Sequence, residues 1–361
     1  MSEPPVKAVA LLSGGLDSML AVKLMTTLGV DVTALTFMTH FGCSAGLDGG
    51  SCGHDPHKLA ETTGFKVKLC HLGKDYIDMV RQPKFGRGKN MNPCVDCRIM
   101  MLRAGREYME ANGGEFAITG EVLGQRPMSQ RLDMFNVVDR ESGLVGRVLR
   151  PLSAKLLRPT IPETEKKVDR SKLLGISGRG RKDQMRLAAE WGIKEYPTPS
   201  GGCLLTDPHY SDKLRDLFIH LPIGQERVSD IQLLQIGRHL RVSDGFKLVV
   251  GRDHEENELL ETLVEDGDWW IETPEHRGPL TIGRGTPTEA EIVTAARTSV
   301  RYGKAPKEGP VRVLVKRLGH AEERTLEVDA LPLAEIAAMR VENVFAHIPK
   351  HAGAKLVHSP E

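Results

Sequence analysis

The first half of the chain alternates short apolar runs with stretches that are apolar at helical spacing. Val6–Leu12 is nearly continuous in apolar residues and reads as a strand covered on both faces, and Met19–Met25 that follows has the period of a helix. Asp31–Phe37 predicts a second strand, Lys66–Leu72 alternates like a third, and Glu115–Gly120 predicts a fourth. Between them, Asp55-Pro56 opens a helix through Lys58–Thr62, and Cys97–Glu110 forms another. Gln184–Trp191 and His209–Phe218 continue the helical pattern. This alternation predicts an α/β fold, a doubly wound parallel sheet whose ligands bind at the carboxyl ends of the strands. Leu221-Pro222-Ile223-Gly224 marks the expected boundary, giving a first domain over residues 1–222. Beyond it the pattern favours strands at Gly245–Arg252, Trp269–Glu272, Val311–Lys316 and Thr325–Val328, with a helix at Glu289–Tyr302. These predict a smaller α+β domain over 223–346, followed by a flexible tail over 347–361.

A chain of 361 residues has room for two such cores. Its 49 basic side chains nearly cancel its 48 acidic ones, so any nucleic-acid contact must come from a local patch. The basic stretch between Arg147 and Arg186 is one, and its compact Gly178-Arg179-Gly180-Arg181-Lys182 segment suits a phosphate backbone. Aromatic residues make up only 5%, which argues against base-stacking platforms as the main mode of binding, and Trp269 and Trp270 read first as core. No apolar run is long enough to span a bilayer, and Met1–Pro5 is not a signal peptide, so a cytoplasmic protein without membrane partners is expected. In that compartment six cysteines point to metal, cluster or redox chemistry before disulfides.

Two stretches carry the candidate chemistry. Ser13-Gly14-Gly15-Leu16-Asp17-Ser18 lies between the first strand and the first helix, where free backbone N–H groups and the helix dipole attract phosphate. Gly14 and Gly15 leave room for the anion, Ser13 and Ser18 add hydroxyl donors, and Asp17 can cap the helix or hold a metal ion. No Gly-Lys-Ser/Thr follows, so it is not a Walker loop. Cys94-Val95-Asp96-Cys97 places two thiols at the start of a helix, whose terminus favours thiolates. They read as a dithiol/disulfide couple or as two ligands of a metal or cluster. Cys203, after Ser200-Gly201-Gly202, supplies a third, and three cysteines leave one iron of a cubane cluster without a protein ligand. Gly120, Glu121 and Gln125 fall at a strand end, where they either orient a nucleotide or base or serve as turn polarity. Cys43, Cys52 and His54, with His40 as a fourth ligand, form a less favoured second metal site, and Cys70 is expected to pack within its strand.

The Ser13–Ser18 string resembles the pyrophosphate loop of the PP-loop ATP pyrophosphatases, which cleave ATP to AMP and pyrophosphate through an adenylated intermediate. Asn92-Pro93-Cys94-Val95-Asp96-Cys97 is similar to the Asn-Pro-x-x-x-Cys motif of the wobble-uridine 2-thiouridylases. Thr119-Gly120-Glu121-Val122-Leu123-Gly124-Gln125, continuing to Ser129-Gln130, and Leu149-Arg150-Pro151-Leu152 are similar to segments of the 4-thiouridine synthetases. Phe246–Arg252, Asn257, Gly267–Trp270 and Arg301-Tyr302 resemble the NFACT-R RNA-binding domain. The resemblance implies ATP with Mg²⁺ at Ser13–Ser18, assisted by Gly120, Glu121 and Gln125. It implies tRNA as substrate, and a sulfur donor that is sulfide or a cysteine desulfurase. Asp17, Cys94, Cys97 and Cys203 would be catalytic, the three cysteines holding a [4Fe–4S] cluster or passing sulfur as persulfide. Unlike the 4-thiouridine synthetases, the chain is expected to lack THUMP and rhodanese domains. Two rival readings are a PP-loop ligase or amidotransferase acting on a small molecule, and an RNA-binding quality-control factor without ATP turnover.

Overall fold

In the computed structural model, residues 4–42, 65–194, 196 and 203–345 are described, and the chain divides into two units, Met1–Leu204 and Leu205–Glu361. Strand β1 (Lys7–Leu11) lies at the centre of the first unit, followed by α1 (Leu16–Thr27), β2 (Asp31–Met38) and β3 (Lys66–His71). Helices α2 (Lys74–Arg81) and α3 (Cys94–Ala111) precede β4 (Phe116–Thr119), and α4 (Leu132–Glu141) precedes β5 (Val148–Leu149). The five strands are parallel in the order β3-β2-β1-β4-β5. Alternation along β1 explains its unbroken apolar run. Ala8, Ala10 and Leu12 belong to the core shared with α1, while Val9 and Leu11 belong to the opposite core with Val95, Ile99 and Leu102 of α3. Edge strand β3 exposes Lys66 and Lys68, which suits a strand with one unpaired side. The first unit ends its regular structure with α5 (Ile161–Thr164) and α6 (Lys182–Glu190), the latter packed on α1.

The second unit opens with α7 (Pro208–His220) and α8 (Val228–Leu233). A six-stranded antiparallel sheet follows, built from β6 (Arg238–Ser243), β7 (Phe246–Val250), β8 (Trp269–Glu272), β9 (Thr281–Gly285), β10 (Val311–Arg317) and β11 (Glu323–Val328). Its order is β11-β10-β8-β9-β7-β6. Helix α9 (His254–Leu263) lies between β7 and β8 in sequence, and α10 (Glu289–Tyr302) between β9 and β10. Ile292, Ala295, Ala296 and Val300 of α10 fill one face against Leu248, Ile271 and Val313. Leu233 and Leu260 cover Val249 and Ile282 in a second cluster. Short helices α11 (Leu333–Met339) and α12 (Val341–Val344) close the described chain.

The division at Leu204/Leu205 differs from the boundary expected at 222/223. The cause is the polar side of α7. Asp216, 1% exposed at the side chain, pairs with Arg241 of β6 at 2.7 Å and Lys247 of β7 at 2.8 Å. Lys213 donates to the carbonyls of Leu234 and Gly237. A buried carboxylate must keep its cations, so the helix stays with β6 and β7, and Leu221-Pro222 is a turn within the second unit. The expected helix at Lys58–Thr62 and the tail over 347–361 lie outside the described residues. Among the described residues no helix is long and apolar enough to cross a membrane.

Candidate functional site

The loops after β1 and β4 meet at the point where strand order reverses. Gly14 sits at φ +73°, a left-handed conformation that glycine adopts freely, and Gly15 stands at the N-cap of α1 with no side chain capping the helix. The first backbone N–H groups of α1 have no acceptor within the helix, so they remain available to an anion. Ser18 Oγ donates to Gly15 O at 2.8 Å and lies 3.2 Å from Ser13 Oγ, which ties the two ends of the loop together. Gly120 allows the second loop to approach. A methyl group there would stand 2.5 Å from the backbone N and Cα of Ser18, far inside contact distance. Gln125 Nε2 donates to Asp17 Oδ2 at 3.1 Å, joining residues far apart in sequence. The other oxygen, Asp17 Oδ1, is buried and meets no hydrogen-bond donor among the described residues. A buried carboxylate oxygen left open beside free N–H groups fits a divalent cation accompanying phosphates.

Glu121 behaves differently from its neighbours. It is 2% exposed, and its Oε2 accepts from Arg150 Nε and Thr119 Oγ1, both at 3.1 Å. Its Oε1 lies 3.2 Å from Arg98 Nε, and Arg150 also grips Asp139 through two hydrogen bonds of 2.7 and 3.1 Å. Burial works to raise the Glu121 carboxyl, but Arg98 and Arg150 outweigh it and leave it below the ordinary range. Its oxygens are thus engaged by arginines of the protein itself.

The cysteines gather on the same unit. Cys94 and Cys97 occupy the first turn of α3, after Asn90, a non-glycine residue at φ +56°. Asp96 anchors that turn by accepting from the backbone N–H groups of Lys84 and Phe85 at 2.9 and 3.0 Å. Cys97 Sγ and Tyr76 Oη lie 3.1 Å apart, either able to donate. Cys203 Sγ reaches the carbonyl oxygen of Phe41 at 4.0 Å, and the Phe41 and Tyr76 rings lie 5.9 Å apart. The Tyr76 hydroxyl is pushed well above its ordinary pKa, first by burial and then by Cys97, Cys203 and Cys94, so all three sulfurs act on one buried phenol. The helix terminus does not yield low thiol pKa values as expected. Burial raises Cys94 despite Arg126 and Arg98, and raises Cys97 despite Tyr76 and Arg98. None of the described cysteines is in a disulfide. Among the described residues, no group of three His, Cys, Asp or Glu side chains is arranged to hold a metal ion.

Other expectations sort by position. Cys43, Cys52 and His54 lie outside the described residues. His40 is partly buried, and burial together with His71 lowers its pKa. Cys70 packs at the margin of the α3 core. Within the basic stretch, Arg150, Lys167, Arg170 and Arg186 are paired with carboxylates of the same unit. The glycine-flanked segment stands apart, because Gly178 N donates to Leu123 O at 2.8 Å and brings exposed Arg179 beside the Glu121–Gln125 loop. Sequence reasoning missed Tyr76, although Tyr76, Ile77 and Val80 have helical spacing. It also missed Gln184 on α6, which is fully buried with neither amide atom meeting a partner among the described residues.

Comparison with known proteins places both halves. Residues 5–168 match the sequence model of the thiamine biosynthesis protein (ThiI) family, and residues 237–340 match that of the NFACT protein RNA binding domain. The first unit is thus similar to the ThiI family, and the second to the NFACT RNA binding domain. A tRNA-specific 2-thiouridylase MnmA from Trichlorobacter lovleyi is 28% identical over 120 residues, which is 32% of this chain and 33% of that protein. The chain therefore spans about a third of the length of the curated relative it matches. Among solved structures, the chain is similar to the U34-tRNA thiolase NcsA from Methanococcus maripaludis with its [4Fe–4S] cluster. That match has a TM-score of 0.30 and 21% identity, over 64% of this chain and 72% of the other. It is also similar to a 4-thiouridine synthetase–RNA complex with bound ATP, with a TM-score of 0.31 and 18% identity over 52% of each chain.

Proposed function

We propose that the protein thiolates a uridine of tRNA in an ATP-dependent reaction, forming 4-thiouridine or 2-thiouridine. The observation that carries the reading is that Cys97, 3.1 Å from Tyr76 and one turn from Cys94, and Cys203, on the carbonyl of Phe41 beside that ring, share the unit whose β1 and β4 loops form the phosphate cradle. The N–H groups of Ser13–Ser18 hold the ATP pyrophosphate, and Gln125 fixes Asp17 so that Oδ1 faces the cation. Mg²⁺ supplies charge to offset the phosphates. The uridine carbonyl oxygen attacks the α-phosphorus, pyrophosphate leaves into the cradle, and a sulfur nucleophile then displaces AMP. Arg98 lies between the two functions, pairing with Glu121 while acting on Cys94 and Cys97. Cys94, Cys97 and Cys203 match a [4Fe–4S] cluster in donor type and number but are not drawn together about one metal position here. Once drawn together they would hold such a cluster, which would supply an iron without a protein ligand, suited to carrying sulfide. The sulfur comes from sulfide or from a cysteine desulfurase. Arg179, beside the Gln125 loop, is placed to meet an RNA phosphate.

Anaerobic purification tests the sulfur chemistry. About four irons and four labile sulfides per chain are expected, lost in Cys94→Ala, Cys97→Ala and Cys203→Ala. Reconstituted wild type without iron overturns the cluster and leaves persulfide transfer by the same thiols. ATP-to-AMP turnover that is indifferent to tRNA, with no thionucleoside by mass spectrometry, overturns tRNA thiolation itself in favour of a small-molecule ligase.

A further inference from the structure

Most arginines of the second unit face carboxylates. Arg241 pairs with Asp216, Arg284 with Asp230 and Asp268, Arg297 with Asp329, and Arg312 with Glu275. Two groups do not: Lys316 and Arg317 lie over the Trp270 and Trp269 rings, 4.9 and 5.7 Å from their centroids, and a second cluster surrounds Tyr302. The Arg238 guanidinium lies over the Tyr302 ring, 4.7 Å from its centroid, and donates to Gly251 O at 3.2 Å. From the other direction Arg340 Nη2 donates to Tyr302 Oη at 3.2 Å. Arg301, the preceding residue on α10, donates only to the carbonyls of Leu331 and Ala330, and exposed Lys304 follows. Among the described residues no carboxylate lies within salt-bridge distance of Arg238 or Arg340 (nearby Glu342 acts on Arg340 only at longer range). The backbone pairs Leu240 with Arg340, which fixes this cluster at the outer edge of β6. Two cations held on neutral partners, in a unit that neutralises most others, are fitted to an anion from outside.

We infer that Arg238 and Arg340, held by Tyr302, are the RNA backbone contact of the second unit. Each guanidinium takes a phosphate oxygen, and the tyrosine orients both through its ring face and its hydroxyl. The inference rests on the tRNA reading above and names the surface that would serve it.

The test uses the full chain and an unmodified tRNA transcript, with fluorescence anisotropy between about 50 and 200 mM salt. Arg340→Ala, at an exposed position, is expected to weaken binding about tenfold at low salt and to reduce the log–log salt slope by about 0.9. Arg238→Ala should do the same, Arg340→Lys should restore the slope, and Arg340→Glu should weaken binding further. Tyr302→Phe, which keeps the ring and loses the hydroxyl, should affect the Arg340 contact alone. Arg312→Ala, a paired arginine on another strand, should leave affinity unchanged. Tryptophan fluorescence from Trp269 and Trp270 checks that the unit is folded. If wild type binds tRNA and the Arg238 and Arg340 variants keep its affinity and slope, this surface is not the contact. If wild type itself fails to bind, the tRNA reading has failed before this one.

Discussion

Replacing Glu121 by Gln separates a strut from a ligand. The family resemblance gives this residue to the nucleotide, whereas its oxygens are taken by Arg98, Arg150 and Thr119. The substitution keeps shape and removes charge, so an amide N–H₂ must face at least one guanidinium in a site 2% exposed. Breaking a buried ion pair from one side costs about 3–5 kcal/mol. Arg150 keeps its two bonds to Asp139, and the partly exposed Arg98 side chain can regain water, so the lower end, about 3 kcal/mol, is expected. For a unit of this size that is a fall of roughly 6–12 °C in its melting temperature. Hydrogen exchange of peptides spanning β4 and β5, followed through a urea titration, reads the first unit without interference from the second. The same pair makes an acid prediction. Since the folded carboxyl lies below its unfolded value of 4.5, its contribution is present above that pH and is lost as pH falls through the folded value. In Glu121→Gln this acid-dependent loss should be smaller. An unchanged urea midpoint together with a tenfold rise in KM for ATP would refute the strut and return Glu121 to the ligand.

Three further outcomes test other parts of the structure. Gly120→Ala should push the β4 loop off the Ser18 backbone, impairing ATP binding far more than it lowers the stability of the sheet; isothermal titration with ATP checks this. Asp17→Asn should leave the fold intact and lower ATP-to-AMP turnover by about 100-fold, with activity partly recovered at high Mg²⁺. In the second unit, burial lowers Lys213 from 10.5 to about 8. Between those values the unfolded chain holds a proton the folded one lacks, so stability should rise with pH by up to about 3 kcal/mol. Urea midpoints of Lys213→Met should lack that rise relative to wild type.

Much of the first unit was legible because its strands are buried on both faces. Continuous apolar runs at β1 and β4 and the glycine turn after β1 need no tertiary information to be read. The helix Glu289–Tyr302 was equally plain, since its capping box and 3.6-residue period agree. What escaped was structure whose signal is polar. Strand β6, Arg-His-Leu-Arg-Val-Ser, offers little apolar alternation because His239 is buried with its Nε2–H donating to the carbonyls of Leu233 and Ile236, and Arg241 with its guanidinium on Asp216. Strand β9, Thr-Ile-Gly-Arg-Gly, is short in side chains because Gly283 must admit the Phe246 ring, 2.6 Å from where a methyl would stand. Helix α2 hides behind charge at both ends, and with it went Tyr76, the residue that reports on all three thiols.

The same limit explains why the two motifs of the cradle carry more meaning together than apart. In a parallel sheet ordered β3-β2-β1-β4-β5, the chain leaves β1 toward β2 and β3, then returns across β1 to β4. The turns after β1 and β4 therefore open away from each other's helices and leave a crevice between them. Sequence periodicity predicts each turn but says nothing about the distance across that crevice. Gly120 reveals it, because only a residue without a side chain can lie against Ser18 N and Cα. Once that approach is fixed, Gln125 reaches Asp17, one carboxylate oxygen is spent on the amide, and the other is left for a ligand. The glycine is thus the residue that turns two separate strand ends into one site.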